Sequence, residues 1–525
     1  MRVNIVNVPA IRPTMPLYSL GVLANICNGF NFVKTQIFDL NLQYFDYIWS
    51  NNSDINSKIK NEKKYIEDPT LILKSKDGMN FEKYSKAINL IEEKSIIEGE
   101  KYKSKIKSGN VELEEDIESF EQILDYIYNI EKNPYFEIID NLIKKNNIFN
   151  ADVILLSVLC NEQLLAAFTT AYLIKKYNPN IFIYLGGAAI AKNKEVFSSV
   201  KVEFVNNFLF GKAEKDLINI FTIILKDNCW DYIKSSNNSQ LCNNTIYNTD
   251  YCNLDLNQYY SPYLTLPIMS SRYCYYKKCA FCDNYSLNLE GQFINNTPEN
   301  LYKHMSELNI KYGARYFKFI DDCVNPHFLE KLCDLLIEGE KKFYWQVNLR
   351  FSSCFLNFKL CDKLYKAGCR LVFLGLESYS QDEINKMYKG IQIKYVKEIL
   401  HNFKLANIHT YISVIVGFPT ETTLDFERTY NFLEREIKLY DLLDVNLFIL
   451  AKYSSVYKNS SDYNISVISQ DRNKITMRCA YKYLKNDTIT KLENMNRYIK
   501  LKEFARKNDK EATMWRLNSL LFKEV

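Results

Sequence analysis

Ser270-Ser271-Arg272-Tyr273-Cys274-Tyr275-Tyr276-Lys277-Lys278-Cys279-Ala280-Phe281-Cys282-Asp283-Asn284-Tyr285 sets three cysteines at C-x4-C-x2-C spacing, with an aromatic residue just before the last. Thiolates hold iron–sulfur clusters, and a cubane normally takes four of them. Three thiolates from one loop leave one iron without a protein ligand, and an open coordination position marks a catalytic rather than a structural metal. No fourth cysteine follows closely; the next is Cys323. The stretch therefore predicts a [4Fe–4S] cluster whose fourth iron binds a small molecule. The competing reading is a zinc site or chance clustering among 14 cysteines. Zinc ribbons use a second C-x2-C or a histidine pair, and neither is present.

The 525 residues suffice for about two or three domains, and 47% of them are hydrophobic. The net charge of +5, from 67 basic and 62 acidic residues, leaves no electrostatic footprint for nucleic acid. Met1-Arg2-Val3-Asn4-Ile5-Val6 reads as a strand rather than a signal peptide. No apolar run reaches the length of a membrane span. A cytoplasmic protein is expected, with its cysteines as thiols or ligands. An oxygen-sensitive cluster further implies an anaerobic or low-oxygen host.

Upstream of the cysteines, continuous apolar strands alternate with helices. Strands are expected over residues 2–8, 32–40, 152–158, 181–187 and 202–208, with helices at 16–28 and 162–177. Such runs belong to a parallel sheet covered on both faces, a doubly wound, Rossmann-like α/β domain over 1–227. Its ligands belong at the carboxyl ends of the strands. Residues 51–150 change character, and Ile117, Phe120, Ile123, Leu124 and Ile127 follow helical spacing, so this segment reads as a helical insertion. Residues 228–262 are polar and Asn-rich, a linker. Downstream, strands near 264–271, 315–321, 344–350, 370–376, 408–417 and 443–450 alternate with helices such as 298–312, 326–339 and 394–406. Six βα units over 263–455 predict a partial (βα)6 barrel, whose chemistry lies at the C-terminal ends of the strands. Residues 456–525 read as a helical extension.

Each barrel strand ends in polar or glycine residues. These are Asp321-Asp322; Gln346, Asn348 and Arg350; Gly375, Glu377 and Ser378; and Gly417, Pro419 and Glu421. Carboxylates suit an ammonium group and ribose hydroxyls, and arginine suits a carboxylate. The two positions Gly417 and Pro419 allow close approach of a flat ring. Ammonium, carboxylate, ribose and adenine together describe S-adenosylmethionine (SAM). Singly, each residue has a plain alternative: Asp322 as a cap of the helix near Pro326, Arg350 in a surface ion pair, Glu377-Ser378 as a simple loop.

Residues 264–450 resemble a radical SAM enzyme, most clearly at Lys366-Ala-Gly-Cys-Arg-Leu-Val-Phe-Leu-Gly-Leu-Glu-Ser378, Met387-Tyr-Lys-Gly390 and Gly417-Phe-Pro-Thr-Glu-Thr422. Residues 1–225 resemble the cobalamin-binding domain often fused ahead of that barrel, through Pro9-Ala-Ile-Arg-Pro-Thr-Met-Pro16, Leu20-Gly21, Ser157, Gly186-Gly187 and Gly211-Lys-Ala-Glu214. The opening and Leu40-Asn41-Leu42 are also similar to members that modify ribosomal peptides. The resemblance implies cluster ligands Cys274, Cys279 and Cys282. It implies SAM contacts from Phe281, Asp321, Asp322, Arg350, Glu377, Ser378, Gly417 and Pro419, and cobalamin contacts from Ser157, Gly186, Gly187, Gly211 and Glu214. The chain departs from the family at its four-residue first cysteine gap. It also lacks the Asp-x-His-x-x-Gly motif, since its four histidines begin only at His304.

By the same resemblance, the activity is reductive cleavage of SAM to a 5′-deoxyadenosyl radical. Hydrogen abstraction and cobalamin-borne methylation of an unactivated carbon in a peptide or natural-product intermediate then follow. Flavodoxin or ferredoxin is the expected electron donor, with no membrane or nucleic-acid partner. Rearrangement or cyclisation without methyl transfer is the alternative, and a non-catalytic cobalamin or iron–sulfur sensor the more distant one. Tyr273, Tyr275, Tyr276 and Tyr285 lie near the cysteines, but among 39 tyrosines they carry no assigned role, and the residue that assists hydrogen transfer is left open. Cys27, Cys160 and Cys333 read as small buried hydrophobes.

Overall fold

The computed structural model describes every residue except 51–67, 108, 212, 228–245, 284–293, 469–473, 477 and 524–525. The chain divides into two compact units, one of Met1–Leu264 with Asp471–Met477, the other of Thr265–Gln470 with Arg478–Val525.

The first unit runs β1 (Arg2–Asn7), α1 (Tyr18–Asn28), β2 (Lys34–Asp39), α2 (Leu40–Trp49), α3 (Pro69–Leu73), α4 (Phe81–Glu100), β3 (Lys105–Lys107), β4 (Asn110–Glu112), α5 (Phe120–Tyr128), α6 (Phe136–Asn146), β5 (Val153–Ser157), α7 (Leu164–Tyr177), β6 (Phe182–Gly186), α8 (Ala188–Lys192), α9 (Lys194–Phe197), β7 (Asn207–Leu209) and α10 (Ala213–Asp227). Its sheet is parallel, in the order β2-β1-β5-β6-β7. The five residues of β5 are all buried, as a central strand covered on both faces must be. Val3, Ile5, Leu20, Ala24, Cys27 and Val153 join in one core against α1 and α10. The strand order reverses beside β1 and β5, which opens a crevice at their carboxyl ends.

The insertion is helical except for the β3–β4 hairpin, and its beginning lies outside the described residues. Ser119 opens α5 with a capping box closed by Gln122. The strand expected at 202–208 contracts to Asn207–Leu209. Residues 246–260, read as linker, are instead strapped to the first unit. Tyr251 is fully buried, the Asp250 N–H donates to the Gly21 carbonyl, and the Tyr259 hydroxyl donates to Asp39. Gly21 gives the reason: a Cβ there would stand 2.6 Å from Thr249 Cβ.

The second unit runs β8 (Thr265–Ile268), β9 (Ser271–Arg272), β10 (Ile294–Asn295), α11 (Pro298–Tyr312), β11 (Tyr316–Phe319), α12 (Pro326–Glu338), β12 (Tyr344–Leu349), α13 (Phe358–Lys366), β13 (Cys369–Glu377), α14 (Gln381–Lys386), α15 (Ile393–Leu405), β14 (His409–Val416), α16 (Thr423–Arg435), β15 (Leu442–Leu447), α17 (Ser455–Lys458), β16 (Ile465–Val467), β17 (Tyr481–Tyr483), α18 (Asp487–Lys507) and α19 (Met514–Leu521). Six parallel strands lie in the order β15-β14-β13-β12-β11-β8, the expected (βα)6 succession. Along β12, Trp345, Val347 and Leu349 are buried while Tyr344, Gln346 and Asn348 are half-buried, the alternation a curved sheet imposes. Local signals close the helices: Thr297 caps α11, Pro298 follows it, and Gly313 ends it at φ 72°. Asn325, not Asp322, caps α12.

The C-terminal extension begins within α17 and forms the β16–β17 hairpin before α18 and α19. It belongs to the barrel: the Leu443 N–H donates to the Lys510 carbonyl at 2.7 Å, and Phe522 meets Tyr316 ring to ring at 4.7 Å. No helix among the described residues is long and apolar enough to cross a membrane.

Candidate active site

In the first unit, the residues expected to face cobalamin gather at the carboxyl edge of the sheet. Strand register puts Asp39, Asn7, Ser157, Gly186 and Leu209 in one row across β2, β1, β5, β6 and β7. Gly187 follows directly, at φ 113°, and a Cβ on it would overlap the Val158 carbonyl oxygen. Only glycine fits that approach of two loops. Gly211 lies open just past β7, with no atom within 4 Å of a Cβ placed there, and Glu214 stands in the first turn of α10. Ser157 is turned inward: its Oγ lies 2.8 Å from that of Ser19 on α1. Within the row, the Asn7 amide donates to Asp39 at 2.9 Å, and the Gln163 amide donates to Asn7 at 3.3 Å. The edge is a firm polar floor with small residues on it.

In the second unit, the cysteine loop leaves β8 through Ser270 and Ser271. Cys274, Cys279 and Cys282 are each partly exposed. Cys274 is drawn down to about 5, first by the Cys323 thiol that donates to it, then by backbone N–H groups and Arg350, against the opposing effect of burial. Cys323 sits in the loop after β11, remote in sequence yet beside Cys274, a neighbour that spacing alone did not reveal. Cys279 is pushed up by burial, with Lys389 and Arg350 opposing. The Arg350 guanidinium stands 3.4 Å over the Tyr276 ring, with Nη1 3.7 Å from Cys279 Sγ. Among the described residues, no three His, Cys, Asp or Glu side chains converge as for a single metal ion. A four-iron cluster is a larger body, and one loop with three thiols, a cation beside it and one thiol already acidic is the donor set it requires.

The other strand ends divide. Glu377 closes β13 at φ 65° and is held by Lys389 Nζ at 2.6 Å and by the Ser413 hydroxyl at 3.3 Å. Phe281 lies with its ring 5.6 Å from Lys389 Nζ. Asp322 is exposed. Three expected SAM contacts have other work. Asp321 is 2% exposed, and its carboxylate accepts from the backbone N–H and hydroxyl of both Ser270 and Ser271. Ser378 is 1% exposed, its Oγ 3.2 Å from Thr429 Oγ1 and accepting from the Ser380 N–H. Gly417, at φ 76°, leaves its side-chain space to Asn494 of α18, 2.8 Å from a Cβ there. Its N–H donates to Glu421 and its carbonyl accepts from the Tyr483 hydroxyl. The glycine that sequence assigns to a flat ligand is thus braced by the chain's own C-terminal helix, with Pro419 buried beside it.

Behind this loop, burial pushes two carboxyls up. Glu383 is raised to about 8, chiefly by burial and further by Glu421 and Asp425, with Lys386 opposing. Burial likewise raises Glu421 to about 7, against the Gly417 N–H and Arg497. Both folded-state values exceed the ordinary glutamate value, so the folded chain holds protons that the unfolded chain has released. Stability therefore falls as pH rises from about 5 to about 8. The full Glu383 shift, from 4.5 to about 8, corresponds to about 5 kcal/mol at roughly 1.4 kcal/mol per unit, which local relaxation reduces to on the order of 2. Glu383→Gln, which fixes the neutral form, is expected to melt like wild type at pH 5 and distinctly above it at pH 8. Equal melting of the two chains across that range would remove the cluster's protonated state.

Residues 268–433 match the model of the radical SAM superfamily. The chain is 23% identical over 319 residues to an uncharacterized methyltransferase of Pyrococcus horikoshii, covering 57% of this chain and 67% of that one. It is 28% identical over 189 residues to the bacteriochlorophyllide d C-12(1)-methyltransferase of Chlorobaculum tepidum, covering 34% and 40%. Its fold superposes on the cobalamin-dependent SAM radical enzyme OxsB with aqua-cobalamin bound, at a TM-score of 0.60 and 13% identity, over 94% of this chain and 66% of that chain. It also superposes on the radical SAM methyltransferase TsrM of Kitasatospora setae with cobalamin and a [4Fe–4S] cluster bound, at 0.54 and 12% identity, over 90% and 81%. The chain spans just under two thirds of OxsB and well under half of the Chlorobaculum enzyme. Residues 268–433 thus carry the radical SAM superfamily match, and the chain around them has the fold seen in the OxsB and TsrM structures.

Proposed function

We propose that the chain is a cobalamin-dependent radical SAM methyltransferase acting on an unactivated carbon of a peptide or other natural-product intermediate. Cys274, Cys279 and Cys282 would hold a [4Fe–4S] cluster. Arg350, Glu377, Asp322 and Phe281 would meet SAM above it, and Gly186, Gly187, Gly211 and Glu214 would meet cobalamin at the edge of the first sheet. When bound, the cluster supplies the electron that cleaves SAM, and cobalamin carries the methyl group; the protein orients both and excludes water. Arg350 contributes a fixed cation beside the cysteine loop, suited to a carboxylate. A low-potential donor of the flavodoxin or ferredoxin class would deliver the electron.

The observation that carries this reading is the convergence upon the cysteine loop of Arg350, from the end of β12, and of Glu377, from the end of β13, held by Lys389 from the turn after α14. The first support for cobalamin is the glycine-lined edge at the reversal of strand order. Anaerobic reconstitution with iron, sulfide and hydroxocobalamin tests both. About four irons and one cobalt per chain, with 5′-deoxyadenosine formed from SAM under reduction, is the expected result. Iron without cobalt would retain the radical barrel and remove methyl transfer. A product of unchanged methyl count would turn the reading to rearrangement or cyclisation.

A further inference from the structure

The Met387–Gly390 turn, which carries Lys389, follows α14. Tyr388 at φ 49° and Gly390 at φ 67° bend it through two left-handed residues. Its three consecutive carbonyls are all used, and each by the cysteine loop or its cation. Met387 accepts from the Ala280 N–H at 2.9 Å, Tyr388 from the Tyr276 hydroxyl at 2.9 Å, and Lys389 from the Arg350 guanidinium. Gly390 has no room for a Cβ, because Tyr276 Oη occupies that place. The fourth tie is a side chain. Lys389 Nζ lies 2.6 Å from Glu377 Oε1, both side chains being 9% exposed.

One residue therefore holds two groups from neighbouring strands, its carbonyl taking Arg350 and its ammonium taking Glu377. A buried ion pair is commonly no more stabilising than a well-packed apolar pair, so stability is a weak reason for a lysine here. Placement is a better one. Arg350 and Glu377 both act on Cys279, and without Lys389 each would lose a contact that fixes it there.

We propose that Lys389 is a positioning residue for SAM, holding Glu377 through its ammonium and Arg350 through its carbonyl so that both stand apart beside the cysteine loop before SAM arrives. The proposal rests on the reading of this site as a radical SAM site.

The test uses the full chain, cluster-loaded, as wild type, Lys389→Met, Glu377→Gln and the double variant. SAM affinity comes from equilibrium dialysis, and the reduced cluster is followed by electron paramagnetic resonance with and without SAM. Lys389→Met is expected to keep about four irons, to bind SAM about 10- to 100-fold more weakly, and to alter the SAM-induced change in the resonance spectrum. The double variant is expected to bind no more weakly than Glu377→Gln alone, because the two residues act through one contact. It also leaves no lone buried charge, so it reports on SAM binding even if Lys389→Met fails to fold. Wild-type affinity in Lys389→Met or in the double variant, or losses that simply multiply, would overturn the positioning role. A wild-type chain that takes up iron and binds no SAM would instead overturn the reading of the site, and this proposal with it.

Discussion

A Cys279→Ala chain, reconstituted with iron and sulfide without oxygen, is expected to hold less than about one iron where the wild-type chain holds about four. SAM cleavage falls with it by at least about three orders of magnitude. The reason lies in ligand count. A cluster with three protein thiolates has already given up one protein ligand for its substrate, and two thiolates leave two irons exposed to solvent and exchange. No other thiol takes over: Cys323, the nearby candidate, is 4% exposed and already donates to Cys274. Cys279 also lies 3.7 Å from Arg350 Nη1, so its loss would weaken the cation's link to the cysteine loop. Cys333, fully buried on α12, is the control, and Cys333→Ala is expected to keep its iron. The measurement is iron per chain with the charge-transfer absorbance of the cluster. Wild-type iron in the Cys279→Ala chain would remove these cysteines as the cluster's ligands.

The sequence disclosed the two sheets because their strands are unbroken apolar runs between helices, a pattern with few physical alternatives. Helix limits such as Pro298–Tyr312 were legible because Thr297, Pro298 and Gly313 each carry a local backbone preference. What remained hidden depends on contacts between distant segments. Residues 246–260 read as a linker because they are polar and unpatterned. Their place is set by single contacts, Tyr251 in the space left by Gly21 and Tyr259 on Asp39, which carry no period. Lys389 lay inside a motif that could be quoted and not interpreted, because its partners sit at the ends of two other strands. Asn494 could not be paired with Gly417 from sequence at all; both are unremarkable in type, and only the fold of α18 onto the strand ends joins them. Glycine, in particular, announces a close approach without saying of what. At Gly187 it is a neighbouring loop, and at Gly417 it is the chain's own helix.

Asp321 makes the same point energetically, and its removal is the second large effect expected. As a SAM ligand it would be open and its substitution would weaken binding in a folded protein. Here it buttresses the exit of β8 instead, accepting from Ser270 N–H and hydroxyl and from Ser271 N–H and hydroxyl at 2.6–3.1 Å. Hydrogen bonds to a charged group contribute about 1.5–3 kcal/mol each, and a buried donor left without a partner costs about 1–3 kcal/mol. The two hydroxyls can turn to other acceptors, but the two backbone N–H groups cannot. Asp321→Ala is therefore expected to destabilise the barrel unit by about 4 kcal/mol, which lowers its melting temperature by roughly 10 °C. Asp321→Asn keeps one acceptor oxygen and turns an amide N–H toward donors, so it is expected to recover less than half of that loss. The loss appears in the apoprotein, and hydrogen exchange accelerates first over residues 268–283, because the carboxylate fixes where the strand ends and the cysteine loop begins. Either variant melting like wild type while binding SAM weakly would return Asp321 to the ligand set. The expected order, with stability lost before any cofactor is added and iron uptake falling in its wake, makes the second strand's carboxylate the anchor of the first strand's loop.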